Sequence, residues 1–374
     1  MSLKSRQSAS SGRRRGVSAV LAGVAASLCV CTLAAGATDR QARADRRAQG
    51  KLDEANRREG AALLSLADAA MAGRPAASDF GMAWRNDFFK AQPGTFVPFT
   101  ITIDRGRVTA PTALMYVRAA RRGAVSPPRA TSESPRFAFD AIFPVELTAP
   151  AGQPVRITRG FAVPAGAYDV YVALRERPAD PLDVDARSLR ASVLKQPLTV
   201  PDFWTGELAT STVMLATRIG TLVSPIDPDD LLEQPYAIGQ NEVEIAPDST
   251  FRRDREMIVV FLIYNPTVTV GKQFDVQVDY HVFHRAADAA PDTGTDHPPA
   301  RTGERYVSHT TPQRFNPASM GARIDPASGQ PLLAGQGILL SSFEEGEYRI
   351  GIIVTDLLSR KTLSRDVTFT VAGS

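Results

Sequence analysis

A ten-residue pattern occurs twice in this chain and constrains its fold more than any other feature of the sequence. Residues 165–174 read AGAYDVYVAL, and residues 345–354 read EGEYRIGIIV. In both copies a glycine stands two places before a tyrosine, and an alternating apolar run follows. The copies lie 180 residues apart in a chain of 374 residues. This spacing is about the size of one domain, and the chain is long enough for two or three.

The alternation in these runs is typical of β-strands. In the first copy Tyr168, Val170 and Val172 share one face of a strand. Similar short runs, separated by turn-rich segments, continue from residue 80 to the end of the chain, and each copy stands before one last strand. We therefore predict an all-β fold with two tandem immunoglobulin- or fibronectin-like β-sandwiches, preceded by an N-terminal signal segment and a short helical arm.

The glycine and the tyrosine of each copy have a structural explanation. In sandwiches of this kind a tyrosine near the start of the penultimate strand bonds back to the preceding corner, and a glycine beside it allows a tight turn. We predict this role for Gly166 and Tyr168, and again for Gly346 and Tyr348. The two copies then mark two domains and identify no ligand.

The N-terminal segment has the features of an export signal. Five basic residues precede an uncharged, mostly apolar run from Gly16 to Ala37, which ends in Ala-Gly-Ala. Signal peptidase accepts this small-x-small pattern, so we predict a signal peptide over residues 1–37. Because the run nearly spans a bilayer, an uncleaved membrane anchor is the alternative. Both interpretations export the rest of the chain to the periplasm or the extracellular space.

Removal of this segment changes both the charge and the cysteine content. The whole chain has 43 basic and 40 acidic residues, and five of the basic residues lie in the segment. The formal charge of +3 becomes about −2, so the sequence does not indicate a nucleic-acid partner. Cys29 and Cys31 are the only cysteines, and both are removed with it. A lipid-modified cysteine is a weaker alternative, because Leu28 and Val30 stand where a small residue is normally found.

The predicted organisation has four parts. The signal segment is followed by a helical and partly disordered arm at 38–74, a first sandwich at 75–201 and a second sandwich at 202–374. Long loops are expected at 225–250 and 286–303. The arm has an apolar helical stripe that packs on its own domain or, alternatively, docks on a partner or membrane. The stripe consists of Leu63, Leu66, Ala67, Ala70 and Met71.

Two further groups of residues are candidates for specific roles. Asp227, Asp229 and Asp230 could bind calcium if backbone carbonyls joined them, but an N-terminal helix start at Pro228 explains the same residues. Phe203 and Trp204 stand at the predicted boundary and are candidates for a wedge between the two sandwiches.

The sequence contains no recognisable catalytic motif. It has four histidines and no HExxH pattern, nucleophile elbow, phosphate loop or dinucleotide fingerprint. His281 and His284 are expected on opposite faces of one strand. We therefore predict no catalytic residue, no cofactor and no enzymatic activity.

Several segments resemble uncharacterised exported bacterial proteins of the acidobacterial type. They include WRNDFFKAQPGTFVPFTITID, LTVPDF, FRRDREMIVVFLIYN and GEYRIGIIVTDLLSRKTLSRDVTFTV. The last of these is also similar to the C-terminal region of GWxTD-domain proteins, although the Gly-Trp-x-Thr-Asp motif is absent and FWTGE at 203–207 does not match it. The resemblance implies a sandwich architecture and an exported location. It implies no catalytic residues.

These observations favour an exported, non-enzymatic tandem β-sandwich protein that acts as a protein-interaction or envelope scaffold module. Its partners would be other exported or envelope proteins, bound through loops or an exposed sheet edge. One alternative is a carbohydrate-binding module or hydrolase-associated protein with a loop-built site. The other is a calcium-stabilised structural protein.

Overall fold

The structure is a computed structural model that describes residues 54–92, 94–123, 137–178, 189–224, 226–286, 297–321 and 324–373. Predictions for the signal segment and for residues 38–53 lie outside these residues. The described chain forms twenty strands, so the all-β prediction is confirmed. We call residues 82–200 the first half and residues 209–372 the second half. Within the described residues, every strand pairs only with strands of its own half.

The first half contains eight strands in two antiparallel sheets. One sheet has the order β5-β4-β7-β8, and in the other β3 pairs with β6 on one side and with β1 and β2 on the other. The strands are β1 (Met82–Asn86), β2 (Phe89–Lys90), β3 (Thr95–Ile103), β4 (Thr112–Arg121), β5 (Phe139–Glu146), β6 (Val155–Val163), β7 (Gly166–Glu176) and β8 (Ala191–Val200).

The second half contains twelve strands, again in two sheets. One has the order β11-β12-β10-β14-β18 with β9 beside β14, and the other has the order β13-β20-β19-β15-β16 with β17 beside β15. The strands are β9 (Ala209–Thr210), β10 (Met214–Thr221), β11 (Ala237–Ile238), β12 (Asn241–Ile245), β13 (Thr250–Arg252), β14 (Glu256–Tyr264), β15 (Val276–Arg285), β16 (Glu304–His309), β17 (Gln313–Phe315), β18 (Leu332–Leu339), β19 (Gly346–Asp356) and β20 (Lys361–Ala372).

Helical structure is limited. The helix α1 occupies residues 54–71, and α2 (Pro317–Met320) has a single turn. The 3-10 helices are Arg105–Arg107, Pro228–Leu232, Pro326–Ser328 and Leu340–Ser342. Among the described residues, no helix is long and apolar enough to cross a membrane.

Each half has its own apolar core between its two sheets. Because side chains alternate along a strand, one set faces inward while the other faces out. In β7 the inward set includes Val170, Val172 and Leu174, all fully buried. In β19 it includes Ile350 and Ile352, also fully buried. Each such side chain contributes about 1.5–3 kcal/mol of transfer free energy.

The helix α1 covers the outer face of the first half. Leu63 and Ala67 are fully buried against Tyr116 of β4 and Ala173 of β7, and Leu66 packs beside them. The apolar stripe therefore packs on the chain's own sheet, as the first of the two interpretations predicts. Residues 56–374 form one compact unit.

An ion pair between α1 and β4 adds to this apolar contact. The guanidinium of Arg118 in β4 lies 2.5 Å from the carboxylate of Asp68 and donates a second bond, of 2.6 Å, to the hydroxyl of Tyr116. Burial raises the pKa of Tyr116 to about 12, although the bond from Arg118 opposes the rise. The phenol is therefore neutral at physiological pH.

A third apolar cluster joins the two halves. It packs Phe89 of β2 and Phe203 against Met214, Val260 and Tyr264 on the outer face of the second half. This contact explains why β14, whose sequence after its first residue is an uninterrupted apolar run, is buried on both faces.

Buried polar groups fix the same joint. Asp87 is 2% exposed and accepts a 2.6 Å hydrogen bond from the hydroxyl of Tyr236. The backbone N–H of Lys90 donates to the hydroxyl of Tyr264, and its ammonium group donates to the side chain of Asn265. The two halves therefore meet through specific bonds as well as apolar packing.

The predicted long loop at 225–250 is wrong as a description of that segment. It contains the 3-10 helix Pro228–Leu232 and the strands β11 and β12. The alternating Asn241–Ile245 run forms the strand β12, which pairs with β10. For the second predicted loop, residues 287–296 lie outside the described residues.

Candidate functional site

Both predicted corner tyrosines make the same hydrogen bond. The hydroxyl of Tyr168 donates to the carbonyl oxygen of Pro164 at 2.8 Å, and the hydroxyl of Tyr348 donates to that of Glu344 at 2.9 Å. Each acceptor lies four residues before its tyrosine, and both rings are buried. Burial raises the pKa of both phenols, which keeps the donated hydrogens in place.

The corner glycines occupy a backbone conformation that other residues rarely adopt. Gly166 and Gly346 both have φ of 147°, in the region that favours glycine. Space is also restricted at Gly346, because a Cβ atom there would lie 2.5 Å from the imidazole of His284. These four predicted residues therefore hold two corners of the fold.

Phe203 and Trp204 lie in the segment that connects the halves. Phe203 is 5% exposed and its ring lies 5.1 Å from that of Tyr264. The indole N–H of Trp204 donates to the carbonyl oxygens of Ala91 and Gly94, and the ammonium of Lys90 lies 4.3 Å from its ring. Phe203 therefore occupies the apolar joint, while Trp204 lies at its rim, 44% exposed.

The calcium candidates lie at the start of a short 3-10 helix. The helix begins at Pro228, and the backbone N–H of Asp230 donates to the carbonyl oxygen of Asp227. The side chain of Asp229 lies outside the described residues. Among the side chains that the structure describes, no group of three or more His, Cys, Asp or Glu is arranged to hold a metal ion.

The prediction that His281 and His284 lie on opposite faces of one strand is confirmed, because β15 keeps a regular register with β19 over this stretch. His281 lies directly opposite His309 on β16, with 6.2 Å between their ring centroids. His284, on the other face, packs on the corner ring of Tyr348 at 4.6 Å. The pairing of His281 with His309 joins two separate strands, so the sequence alone does not indicate it.

Tyr306 connects the remaining histidines. Its ring stacks on His297 at 3.6 Å, and its hydroxyl lies 3.0 Å from Nδ1 of His309. Burial lowers the pKa of His281, and His309 and His297 add to the effect. These rings form an aromatic cluster on the outer face of the sheet.

A polar cavity of about 460 Å³ is lined by residues of β15, β16, β19 and β20. Its charged groups neutralise one another: Arg349 is buried and binds the carboxylates of Glu304 at 2.5 Å and Asp366 at 2.8 Å. Hydrogen bonds from Arg349 hold the pKa of Glu304 below its usual range. The other two arginines of the lining, Arg285 and Arg301, are likewise paired, with Glu347 and Asp366.

The strand β18 is different from the other edges of the sheets. It forms the end of its sheet, beside β14, and runs for eight residues with the sequence LLAGQGIL. It contains neither a charged residue nor a proline. Every other described edge strand either contains a charged residue or proline or is at most three residues long. The longer ones are β1 with Arg85, β5 with Asp140 and Pro144, β6 with Arg156 and Arg159, β8 with Lys195 and Pro197, and β16 with Glu304 and Arg305.

The hydrogen bonds around β18 show which of its backbone groups face the open side. Leu340 N–H donates to Arg255 O, one step beyond the pairing of Leu339 with Glu256. Because bonding directions alternate in an antiparallel pair, the even-numbered residues bond to β14 and the odd-numbered residues point away. The odd-numbered residues are Leu333, Gly335, Gly337 and Leu339.

Side-chain amides cover part of this edge. Gln313 donates to the carbonyl oxygen of Gly335 at 2.6 Å, and Gln336 donates to that of Gly337 at 2.9 Å. Within the described residues, the N–H groups that point away from β14 have no hydrogen-bond acceptor. Leu339, at the end of the strand, is 69% exposed. The edge of β18 therefore presents backbone N–H donors together with the exposed apolar side chain of Leu339.

Comparison with known proteins gives no functional assignment. Neither a protein-family model nor a curated protein sequence matches the chain. Solved structures of alpha-2-macroglobulin show a weak similarity. The Salmonella protein reacted with methylamine has 10% identity and a TM-score of 0.27, over 79% of this chain and 25% of that one. The native E. coli protein has 11% identity and a TM-score of 0.27, over 79% and 26%. This chain thus spans about a quarter of their length.

Proposed function

We propose that this chain is an exported, non-enzymatic β-sandwich protein that binds other proteins by strand addition at the β18 edge. The observation that carries the proposal is the open edge of β18, which is eight residues long and has no charge or proline. Natural sheets normally protect their edges with such residues, because an unprotected edge pairs with other chains. An edge strand that lacks these protective residues is therefore suited to strand addition.

Backbone groups supply the binding energy in this mode of recognition. Four N–H groups of β18 point away from β14, and an added strand would place carbonyl oxygens opposite them. Each hydrogen bond formed contributes about 0.5–1.5 kcal/mol net. Leu339 would be covered by a side chain of the added strand, so an uncharged partner strand with apolar residues fits best.

A rigid support for the edge agrees with a scaffold role. The joint between the halves is held by the bond from Tyr236 to buried Asp87 and by the packing of Phe203 on Tyr264. The edge strand is attached to β14, the central strand that takes part in this joint. A bound partner would therefore have a fixed orientation relative to both halves.

Export is part of the proposal and is supported by the sequence of the first 37 residues. The basic start, the apolar run and the Ala-Gly-Ala end all favour it. The partners would then be other exported or envelope proteins. The formal charge of about −2 without the leader gives no reason to expect nucleic acid.

Within the part of the chain that the structure describes, the geometry gives the alternatives no specific support. A carbohydrate site would use an open aromatic face, and the ammonium of Lys90 lies over the ring of Trp204. The charges of the polar cavity are paired with each other around Arg349.

The proposal is tested with a photoreactive amino acid in place of Leu339, in the full chain expressed in the producing organism. The matched control carries it at Leu358, which is also an exposed leucine but lies in the β19–β20 turn. Protein adducts at position 339 that are absent at position 358 are expected. Equal adducts at both positions, or none at 339, would refute binding through β18.

A further inference from the structure

We propose that the strand added to β18 is β18 of a second copy of this chain. This inference rests on the proposed function, because it names the partner of the same edge. Residues 333–339 read LAGQGIL, and this order is nearly the same in both directions around Gln336. Leucines stand at the two ends and glycines flank the glutamine. When the order is reversed, the sequence therefore changes only at the positions of Ala334 and Ile338. An antiparallel strand of this kind presents matching residues to a second copy of itself.

The symmetry of the sequence defines the register. Pairing centred on Gln336 places this residue opposite Gln336 of the second copy. Gly335 then lies opposite Gly337, and Leu333 lies opposite Leu339. The two-fold axis passes between the two glutamines, which gives the closed, isologous interface typical of homodimers.

The directions of the backbone groups agree with this register. Leu333, Gly335, Gly337 and Leu339 are the residues whose N–H and C=O groups face away from β14. In the symmetric register each of them lies opposite another member of the set, so the pairs exchange both N–H···O bonds. A slip by one residue would place these groups opposite residues that already bond to β14.

Side-chain burial favours the same arrangement. Leu339 is 69% exposed in the single copy. In the symmetric register Leu339 lies opposite Leu333 of the second copy. Leu333 is half-buried at the edge of the apolar cluster that joins the halves. Pairing would extend that cluster across the two copies and cover both copies of Leu339.

The pairing requires two existing bonds to be exchanged. The amides of Gln313 and Gln336 must release the carbonyl oxygens of Gly335 and Gly337, which then accept from the second copy. Replacing one neutral hydrogen bond by another is nearly neutral in free energy. The four outward N–H groups of each copy gain acceptors in addition.

A single cysteine tests both the pairing and its register. The full chain, with Cys29→Ser and Cys31→Ser in every variant, is expressed with Gln336→Cys and oxidised with copper phenanthroline. In the symmetric register the two residues form a non-hydrogen-bonded pair with about 4.5 Å between Cα atoms, which suits a disulfide. A disulfide-linked dimer on a non-reducing gel is the expected result.

Leu333→Cys is the control for register. The same pairing separates the two copies of this residue by about 20 Å, so no dimer should form. If Leu333→Cys cross-links as well as Gln336→Cys, or if Gln336→Cys stays monomeric, the inference is wrong.

A second measurement does not depend on disulfide geometry. Sedimentation equilibrium should show a monomer–dimer equilibrium, and Leu339→Lys should weaken it by about tenfold, because two copies of an apolar cross-strand pair are lost. Leu358→Lys, at another exposed position, should leave it unchanged. A chain that remains monomeric, yet forms photo-adducts with a different protein at position 339, would overturn this inference and leave the proposed function intact.

Discussion

Tyr348 repeats the hydrogen bond of Tyr168 on an equivalent strand of the second half. Both hydroxyls donate to the carbonyl oxygen four residues earlier, at 2.9 and 2.8 Å. The surrounding pairing is repeated too: Tyr168 lies opposite Leu198 on the last strand of its sheet, and Tyr348 lies opposite Phe369. The doubled sequence pattern therefore corresponds to a doubled structural unit.

Removing either corner hydrogen bond should reduce stability. Tyr168→Phe and Tyr348→Phe each delete one hydroxyl and leave a carbonyl oxygen unpaired at a buried corner. A loss of about 0.5–1.5 kcal/mol in the free energy of unfolding is expected for each. Urea unfolding followed by fluorescence measures both. A loss at one corner but not at the other would contradict the equivalence of the two units.

The buried ion pairs of Arg349 should matter far more than those at the surface. Its guanidinium binds Glu304 and Asp366, and Arg349→Ala would leave the largely buried carboxylate of Glu304 without its charged partner, with the backbone N–H of Arg301 as its remaining donor among the described residues. Such a change typically costs about 3–5 kcal/mol. Arg252→Ala, which removes an exposed pair with Asp254, is the control and should change the midpoint of thermal unfolding very little. Similar effects of both substitutions would argue against a structural role for the cluster.

The buried carboxyl of Asp87 should give a distinctive pH dependence. Burial raises its pKa in the folded chain, although the bond from Tyr236 opposes the rise. A raised pKa means that the folded state favours the protonated form, so the contribution of this group is fully present below the unfolded pKa and is lost as the pH rises through the folded pKa.

Comparison with Asp87→Asn isolates this contribution from those of other carboxyls. The amide keeps an acceptor for Tyr236 without a buried charge. The stability of the wild-type chain relative to this variant should therefore increase as the pH falls from 7 towards 4. Urea unfolding at a series of pH values measures the difference. A difference that falls with decreasing pH would show that the carboxyl is ionised and stabilised at the joint.

The connecting segment should stabilise the joint between the halves through one residue rather than two. Phe203→Ala removes a ring that is 5% exposed and packs on Tyr264, so a loss of about 3–5 kcal/mol is expected. Trp204→Ala should cost less, because its ring is 44% exposed. Calorimetry of both variants compares them. The reverse order would mean that the rim, not the apolar cluster, holds the halves together.

Regular patterns made much of this fold predictable from sequence. Alternation identified the strands, and the repeated Gly-x-Tyr identified both corners, because a glycine with φ of 147° and a back-bonded tyrosine have a local signature.

Features that depend on which strands pair were not predictable in the same way. The two-residue strand β11, in the segment predicted as a loop at 225–250, forms because it pairs with β12. The antiparallel pairing of β15 with β16 brings His281 opposite His309, and no local signal marks it. The open edge of β18 likewise exists only because no described strand pairs with its outer side. The sequence LLAGQGIL contains that site, but only the sheet order shows that it is an edge.

Residue-resolved hydrogen exchange of β18 tests the central claim most directly. In dilute protein the amides of Leu333, Gly335, Gly337 and Leu339 should exchange rapidly, whereas those of Ala334, Gln336 and Ile338 should be protected by β14. At high protein concentration, or in the presence of a binding partner, the first set should become protected as well. Protection of the first set in the isolated monomer, or rapid exchange under every condition, would contradict binding by strand addition at this edge.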